Sequence, residues 1–499
     1  LKVLFIHLGR ENIGIEYLSS LLRAAGHETY LAVDIGLFGQ NDNIFHIPLM
    51  EQLFSLRGSV IEKFKALKPD LVCLSAYTST LQWCFSIAEA IKSIADTPCL
   101  IGGVHITIDP ESALSCRAID CGVCGEAESV IARLAECVAT GGSLNEIPGA
   151  VYRESGIVTV NGHAPVTDDL DTLPFPDKSL FEHSINIRDD YMAIPSRGCP
   201  FECSYCCEHV VNKGLDAGKR LRVRSVANLM EELNIMKSRY KFTEVFFGSP
   251  VFPGDKAWVE EFSKRYRYEI GVPFWCFAHI RYIDRDYVRL MKEAGCRVLE
   301  FGIQSVNEKI RRDVLRRTET NERISQAFRD CDDADMQYDA GHIFNLPGET
   351  EKDYEDAVRF YSGFSALHRI KVFNLTLFPG THIVATMLRD GLIDETCHQS
   401  IRNGEGGDYF HESAVNPSMP PWKQKAYGHL LRLINIMPER WALSSLRPGR
   451  LRRISSIPKL FVRMLEFMHL ICIRDMRLGI YIRLYRRHFA LLLKGRRRA

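Results

Sequence analysis

A chain of 499 residues is too long for one ordinary domain and leaves room for about three. With 46% hydrophobic and 25% charged residues it has material for more than one globular core, and no run of eighteen uncharged apolar residues that would make a transmembrane helix. The net charge of +1 conceals an asymmetry: residues 441–499 carry 15 Lys plus Arg against Glu466 and Asp475, a net +13, which leaves −12 on the first 440. A basic tail on a mildly acidic body asks for a partner. The sixteen cysteines are scattered rather than set at framework spacings. The opening "LKVLFIHLG" lacks a basic leader and cleavage site and reads as a β-strand. Both features point to a reducing cytoplasm, where clustered cysteines hold metal more often than they form disulfides.

Over residues 1–140, short apolar runs alternate with helical patterns. The runs are "KVLFI" (2–6), "ETYLAV" (28–33), "LVCLS" (71–75), "CLIGG" (99–103) and "AIDCGVCG" (118–125). This alternation predicts βαβ units on a parallel, Rossmann-like sheet whose ligands sit at the carboxyl ends of the strands. Those ends carry Asp34, "SAYTST" (75–80), "GGVHIT" (102–107) and "GEAE" (125–128), and Gly102 and Gly103 would let a ligand approach the backbone closely. An ordinary doubly wound domain, with mere turn residues at these places, is the competing reading.

The order of the segments resembles the cobalamin-binding domain, whose pattern runs Asp-x-His-x-x-Gly, then a Ser loop, then Gly-Gly. Here "DIGLFG" supplies Asp34 and Gly39, but Gly36 stands where the family's cobalt-ligating histidine would be. The resemblance implies cobalamin bound base-off, with no histidine from the Asp34 motif, and its nucleotide tail running past Ser75, Thr78, Gly102 and Gly103. A missing lower ligand eases reduction to cobalt(I), the form that accepts a methyl cation. Tyr77, Leu81 and Gln82 lie on the loop nearest the cofactor's upper face.

Residues 141–190 read as a linker with a small hairpin, "AVYRE" and "IVTVNG" around Ser155-Gly156, followed by prolines at 174 and 176.

At 196–207 stands "SRGCPFECSYCC". A structural zinc site wants four ligands, usually as two separated pairs, and no second pair follows. A redox dithiol needs only two cysteines. Three thiolates on one loop, Cys199, Cys203 and Cys206, suit a [4Fe–4S] cluster with one iron left open. Cys207 is extra. The Cys-x3-Cys-x2-Cys spacing, with Tyr205 before the last cysteine, resembles the radical S-adenosylmethionine superfamily. That resemblance implies S-adenosylmethionine on the open iron and its cleavage to a 5′-deoxyadenosyl radical.

Downstream, about six βα units continue to residue 385, which matches the open partial (βα)6 barrel of that superfamily. Three strand ends resemble its cofactor-binding elements. "FGS" (247–249) offers Ser249 near the amino group, "EFGIQS" (300–305) offers Glu300, Gln304 and Ser305 to ribose and carboxylate, and "FNLPGET" (344–350) shapes the adenine side through Pro347 and Gly348. For each side chain, core packing or helix capping is the alternative.

From 386 to 499 helical patterns dominate. In 457–499 apolar residues alternate with arginines at helical intervals, as in a helix lying in a membrane interface. Nucleic acid competes for the arginines, but the apolar content favours the membrane; packing on the chain's own barrel is a third reading.

Residues 1–385 thus resemble cobalamin-binding radical S-adenosylmethionine enzymes, the class B methyltransferases and anaerobic porphyrin cyclases. The α/β architecture expected is an N-terminal cobalamin-binding domain, a partial barrel over 191–385 and a helical C-terminal region. The activity expected is methylation of an unactivated carbon of a lipophilic small molecule, with electrons from an external donor. A non-methylating cyclisation with the same cofactors, and a sensor without turnover, are the alternatives. The expected location is the cytoplasm, with peripheral contact at the inner face of the membrane.

Overall fold

The computed structural model describes residues 1–39, 48–213, 215, 217–405, 419–473, 475–480 and scattered positions to 489. They form two compact units: Leu1–Asn186 with Tyr205–Lys219 and Thr376–Asp408, and Ile187–Ser204 with Arg220–Leu375 and Tyr409–Ala499.

The first unit is built on a seven-stranded sheet of β1 (Lys2–Leu8), β2 (Glu28–Asp34), β3 (Leu71–Ser75), β4 (Cys99–Gly102), β5 (Cys121–Val123), β6 (Ala150–Glu154) and β7 (Ile157–Val160), in the order β2-β1-β3-β4-β5-β6-β7. β1 to β5 run parallel, and β6 and β7 extend the sheet antiparallel. β1 is buried along five consecutive residues, Val3 to His7, as a strand covered on both faces must be. Each crossover returns through a helix; in Ile13–Ala24 the side chain of Asn12 caps the start by accepting from the Ile15 N–H.

The hairpin expected in the 141–190 linker therefore forms, but as the outer strands of this sheet. Beyond it Lys178, wholly buried, pairs with Glu11 at 2.6 Å and Glu16 at 2.8 Å. Residues 376–405, expected to divide at 385 between barrel and C-terminal region, also group with this unit: Arg402 grips Asp109 through two hydrogen bonds of 2.7 and 2.9 Å.

The second unit carries β8 (Tyr191–Ala193), a small antiparallel pair β9 (Ser196–Gly198) and β10 (Leu221–Val223), then β11 (Val245–Phe247), β12 (Phe274–Ala278), β13 (Cys296–Gln304), β14 (Gln337–Phe344) and β15 (Leu367–Asn374). β8, β11, β12, β13, β14 and β15 lie side by side in chain order as one parallel six-stranded sheet, the partial barrel expected. Helices Pro448–Ser456 and Lys459–Cys472 both pack on helix Pro421–Leu433, which lies against β15.

The basic tail is not wholly a surface feature. Arg477, only 4% exposed, reaches Asp339 at 2.8 Å and Asp475 at 2.7 Å, and Arg483 pairs with Asp189 at 2.7 Å. Asp339 lies near the start of β14 and Asp189 just before β8, so this stretch packs on the N-terminal end of its own barrel. Arg477 and Arg483 are thus engaged in ion pairs within their own unit. Residues 491–499 fall outside the described part.

Candidate functional site

In the first unit the expected cofactor residues gather at the carboxyl ends of β2, β3 and β4. Ser75 and Gly102 are register partners at the ends of β3 and β4. The Ser75 hydroxyl accepts from Asn12 at 3.2 Å. Gly103 adopts φ +101°, and a Cβ there would fall 2.7 Å from the Ala76 carbonyl, so two loop backbones are pressed together. Gly102 is different: its Cβ would meet only Val123 Cγ1, at 3.6 Å. Thr78 is buried, and its hydroxyl pairs with His105 Nδ1 at 3.1 Å, while His105 Nε2 meets Ser112 at 2.8 Å. Burial pushes the His105 pKa down to about 4, so the ring bridges two hydroxyls as a neutral imidazole. His105 was not singled out from the sequence, although "GGVHIT" contains it.

Asp34 has a different duty from the one expected. One carboxylate oxygen accepts from Gly36 N–H at 3.0 Å, the other from Ser55 Oγ at 2.9 Å and Leu56 N–H at 2.8 Å. It therefore staples the turn after β2. Gly36 sits at φ +65° in that turn, and a Cβ on Gly39 would come within 2.7 Å of the Glu51 carboxylate. Of the three residues expected near the cofactor's upper face, Leu81 is in the core and the Gln82 amide donates to the Asn403 carbonyl at 2.7 Å, whereas Tyr77 is 46% exposed.

These contacts separate fold from binding. Gly103→Ala is expected to cost about 1–3 kcal/mol through strain, read as a lower unfolding midpoint. Gly102→Leu is expected to leave the midpoint nearly unchanged and to weaken cobalamin retention, measured by gel filtration and absorbance.

In the second unit β9 leads into the cysteine loop, with Gly198 at φ +78° just before Cys199. Ser204 anchors the far side, its N–H donating to the Leu315 carbonyl at 3.0 Å and its hydroxyl to the Val314 carbonyl at 2.5 Å. Phe201 stacks on His279, ring centroids 3.7 Å apart. His279 and Arg317 converge on Glu319 at 2.9 and 3.0 Å, and Arg317 Nη1 lies 3.8 Å from Cys203 Sγ. A guanidinium there favours the thiolate, the form that ligates iron. Arg317 is the functional residue the sequence reading missed in this unit.

Cys203 is buried, while Cys199, Tyr205, Cys206 and Cys207 are half-buried, and none of the sixteen cysteines is joined in a disulfide. The Cys207 thiol is held protonated well past its ordinary range, first by its hydrogen bond with Cys206 and then by burial. Among the described residues no group of three or more His, Cys, Asp or Glu side chains stands assembled around a single-ion site. Three cysteines on a short loop, none in a disulfide and one with a cation beside it, fit a thiolate-held cluster in chemistry.

The strand ends sort the other candidates. Gln304, last residue of β13, adopts φ +69°, a strained value for a side-chain-bearing residue. Its side chain lies over paired Gly302 and Gly341: a Cβ on Gly302 would strike Gln304 Nε2 at 2.6 Å. Its buried Oε1 accepts no hydrogen bond among the described residues. A strained backbone carrying an orphaned buried acceptor fits a polar cofactor.

Ser249, Glu300 and Ser305 are engaged internally, against expectation. The Ser249 hydroxyl accepts from the Ser196 N–H at 2.9 Å and donates to the Ser196 carbonyl at 2.6 Å. Glu300 pairs with Lys371 at 2.5 Å beside buried Asp339. Ser305 Oγ accepts from Asn307 N–H at 3.3 Å. Gly348, at φ +82°, lines an open cleft of about 770 Å³ with Asn307, Thr350 and Asp353.

The model of the B12 binding domain matches residues 9–135, and that of the radical SAM superfamily matches residues 193–361. The chain is a cobalamin-binding radical S-adenosylmethionine enzyme. It is 27% identical over 346 residues to an uncharacterized methyltransferase of Pyrococcus horikoshii, covering 68% of this chain and 73% of that one. To the anaerobic magnesium-protoporphyrin IX monomethyl ester cyclase of Rubrivivax gelatinosus it is 26% identical over 376 residues, 72% of this chain and 65% of the cyclase. A hopanoid C-3 methylase of Methylococcus capsulatus is 27% identical over 243 residues, 46% of this chain and 41% of the methylase. The fold is shared with the cobalamin-dependent S-adenosylmethionine radical enzyme OxsB, solved with aqua-cobalamin and S-adenosylmethionine bound, at TM-score 0.66 and 15% identity over 99% of this chain and 81% of that one.

Proposed function

We propose that this enzyme methylates an unactivated carbon of a lipophilic substrate, holding cobalamin base-off. The turn after β2 carries the reading: it is built on Gly36 and stapled by Asp34, and so offers the cobalt no imidazole. When bound, the cluster and S-adenosylmethionine supply a hydrogen-abstracting radical, and cobalamin supplies the methyl group. Cys199, Cys203 and Cys206 would hold the cluster, with Arg317 donating to the Cys203 sulfur. Gln304 would give its free acceptor to S-adenosylmethionine. Ser75, Thr78, Gly102 and Gly103 would line the path of the cobalamin tail. An external donor provides electrons. The methyltransferase and hopanoid methylase relatives support methyl transfer and an apolar substrate; the cyclase relative supports ring closure as the second reading.

The test is anaerobic, reconstituted enzyme with dithionite, S-adenosylmethionine and hydroxocobalamin. Methyl transfer requires both 5′-deoxyadenosine and S-adenosylhomocysteine; deoxyadenosine alone supports cyclisation, and neither product contradicts both readings. The cobalt(II) EPR spectrum is expected to lack the nitrogen splitting that an axial imidazole or benzimidazole imposes; its presence contradicts base-off binding without a histidine ligand.

A further inference from the structure

The helix Lys459–Cys472 is amphipathic with both faces accounted for differently. Val462, Glu466 and Leu470 are buried, and Glu466 is paired with Arg463 at 3.0 Å and Arg432 at 3.8 Å. The remaining large residues face outward: Leu460 is 55% exposed, Phe461 50%, Met464 50%, Met468 56% and Ile471 51%. At 3.6 residues per turn these five fall within an arc of about 100°, along roughly 16 Å of helix. An arc of that width is what a helix ordinarily turns to a core. Here it is turned away from one.

The charge just before the stripe has a single sign. Arg447, Arg450, Arg452, Arg453 and Lys459 are exposed just before it, and residues 440–465 contain no acid at all. Helices Pro448–Ser456 and Lys459–Cys472 pack on the same helix, Pro421–Leu433, which keeps the basic stretch next to the apolar one. No helix among the described residues is long and apolar enough to cross a membrane.

We infer that this helix docks the enzyme on an anionic lipid surface, with Leu460, Phe461, Met464, Met468 and Ile471 entering the acyl boundary and the neighbouring arginines meeting headgroups. Charge selects this occupant. A second copy would bring the same positive charge against itself, and a nucleic acid would leave five large apolar side chains in water. The inference goes beyond the methyl-transfer reading and does not depend on it, because vesicle binding is read without turnover.

The experiment is flotation of the full-length enzyme with vesicles of phosphatidylcholine alone, and of phosphatidylcholine with phosphatidylglycerol at roughly three to one. The enzyme is expected to float with the anionic vesicles and to come off at high salt. Arg452→Gln/Arg453→Gln/Lys459→Gln is expected to weaken that binding about a hundredfold, at around a tenfold or less per charge. Phe461→Glu/Met468→Glu is expected to abolish it, with an unchanged unfolding midpoint. Phe461→Trp, which keeps the side chain apolar, should show an emission blue shift and quenching by brominated anionic lipid. Equal flotation of the variants, an unshifted tryptophan, a stripe variant that changes only the oligomeric state, or preferential binding of RNA over vesicles would each overturn the inference.

Discussion

Enzyme carrying Cys203→Ala is expected to emerge from anaerobic reconstitution without its iron and without the brown absorbance of a cluster, and to form no 5′-deoxyadenosine. Cys207→Ala is expected to keep all three. The contrast follows from the loop. Cys203 has Arg317 Nη1 3.8 Å from its sulfur, a donor placed for a ligating thiolate, whereas Cys207 stands outside the Cys-x3-Cys-x2-Cys spacing. A thiolate is needed for ligation. Arg317→Gln is a graded version of the same experiment. The three cysteines remain, but the donor beside Cys203 is lost, and roughly tenfold to hundredfold weaker iron retention is expected. Iron and sulfide analysis with the low-temperature EPR of the reduced protein separates these outcomes. A Cys203→Ala protein with full iron would move the cluster off this loop.

The second large effect lies in the barrel interior. Glu300, Asp339 and Arg369 are register neighbours across β13, β14 and β15, and the tail inserts Arg477 among them, with its guanidinium 5.5 Å from the Trp275 ring centre. Burial pushes the Asp339 carboxyl up, but Arg477 and Arg369 together hold it well below the ordinary carboxylate range. Arg477→Ala takes the nearest guanidinium from buried Asp475 and leaves Asp339 with Arg369 at 3.2 Å and Lys371 at 3.6 Å, and is expected to destabilise the protein by about 3 kcal/mol, measured by urea unfolding. Asp339→Asn/Arg477→Met, which removes both charges, should cost less than the sum of its parts. The pH dependence has a fixed sign. Because the folded carboxyl titrates lower than the unfolded one, the pair's contribution is complete above the ordinary carboxylate range and is lost as pH falls through and below it. Arg477→Ala should flatten that acid limb.

The features legible in the sequence were those written locally. The cluster spacing sits within eight residues, each strand of β1 to β5 and of the barrel is a run of 3 to 9 residues, and Gln304 ends its strand where the motif puts it. What was not legible was which polar residue of a motif is open and which is spent. Asp34, Ser249 and Glu300 occupy expected places, yet their oxygens are taken by Ser55 and Leu56, by Ser196 and by Lys371 respectively. Those partners lie on other elements, and nothing in a motif names them. The same holds for Arg317 to Cys203 across 114 residues, Arg402 to Asp109 across 293 and Arg477 to Asp339 across 138. The tail shows the cost most plainly, since arginines at helical intervals look alike whether they face lipid or, like Arg477, are buried against two aspartates.

The most direct test of the enzyme as a methyltransferase uses S-adenosylmethionine with a trideuterated methyl group. Reduced enzyme loaded with cluster and cobalamin is incubated with a lipid extract from its source, and products are followed by mass spectrometry. Methyl transfer gives a product heavier by one trideuterated methyl, with 5′-deoxyadenosine and S-adenosylhomocysteine formed in equal amounts. A product that gains no label while deoxyadenosine accumulates without S-adenosylhomocysteine would contradict it and assign the same cofactors to ring closure.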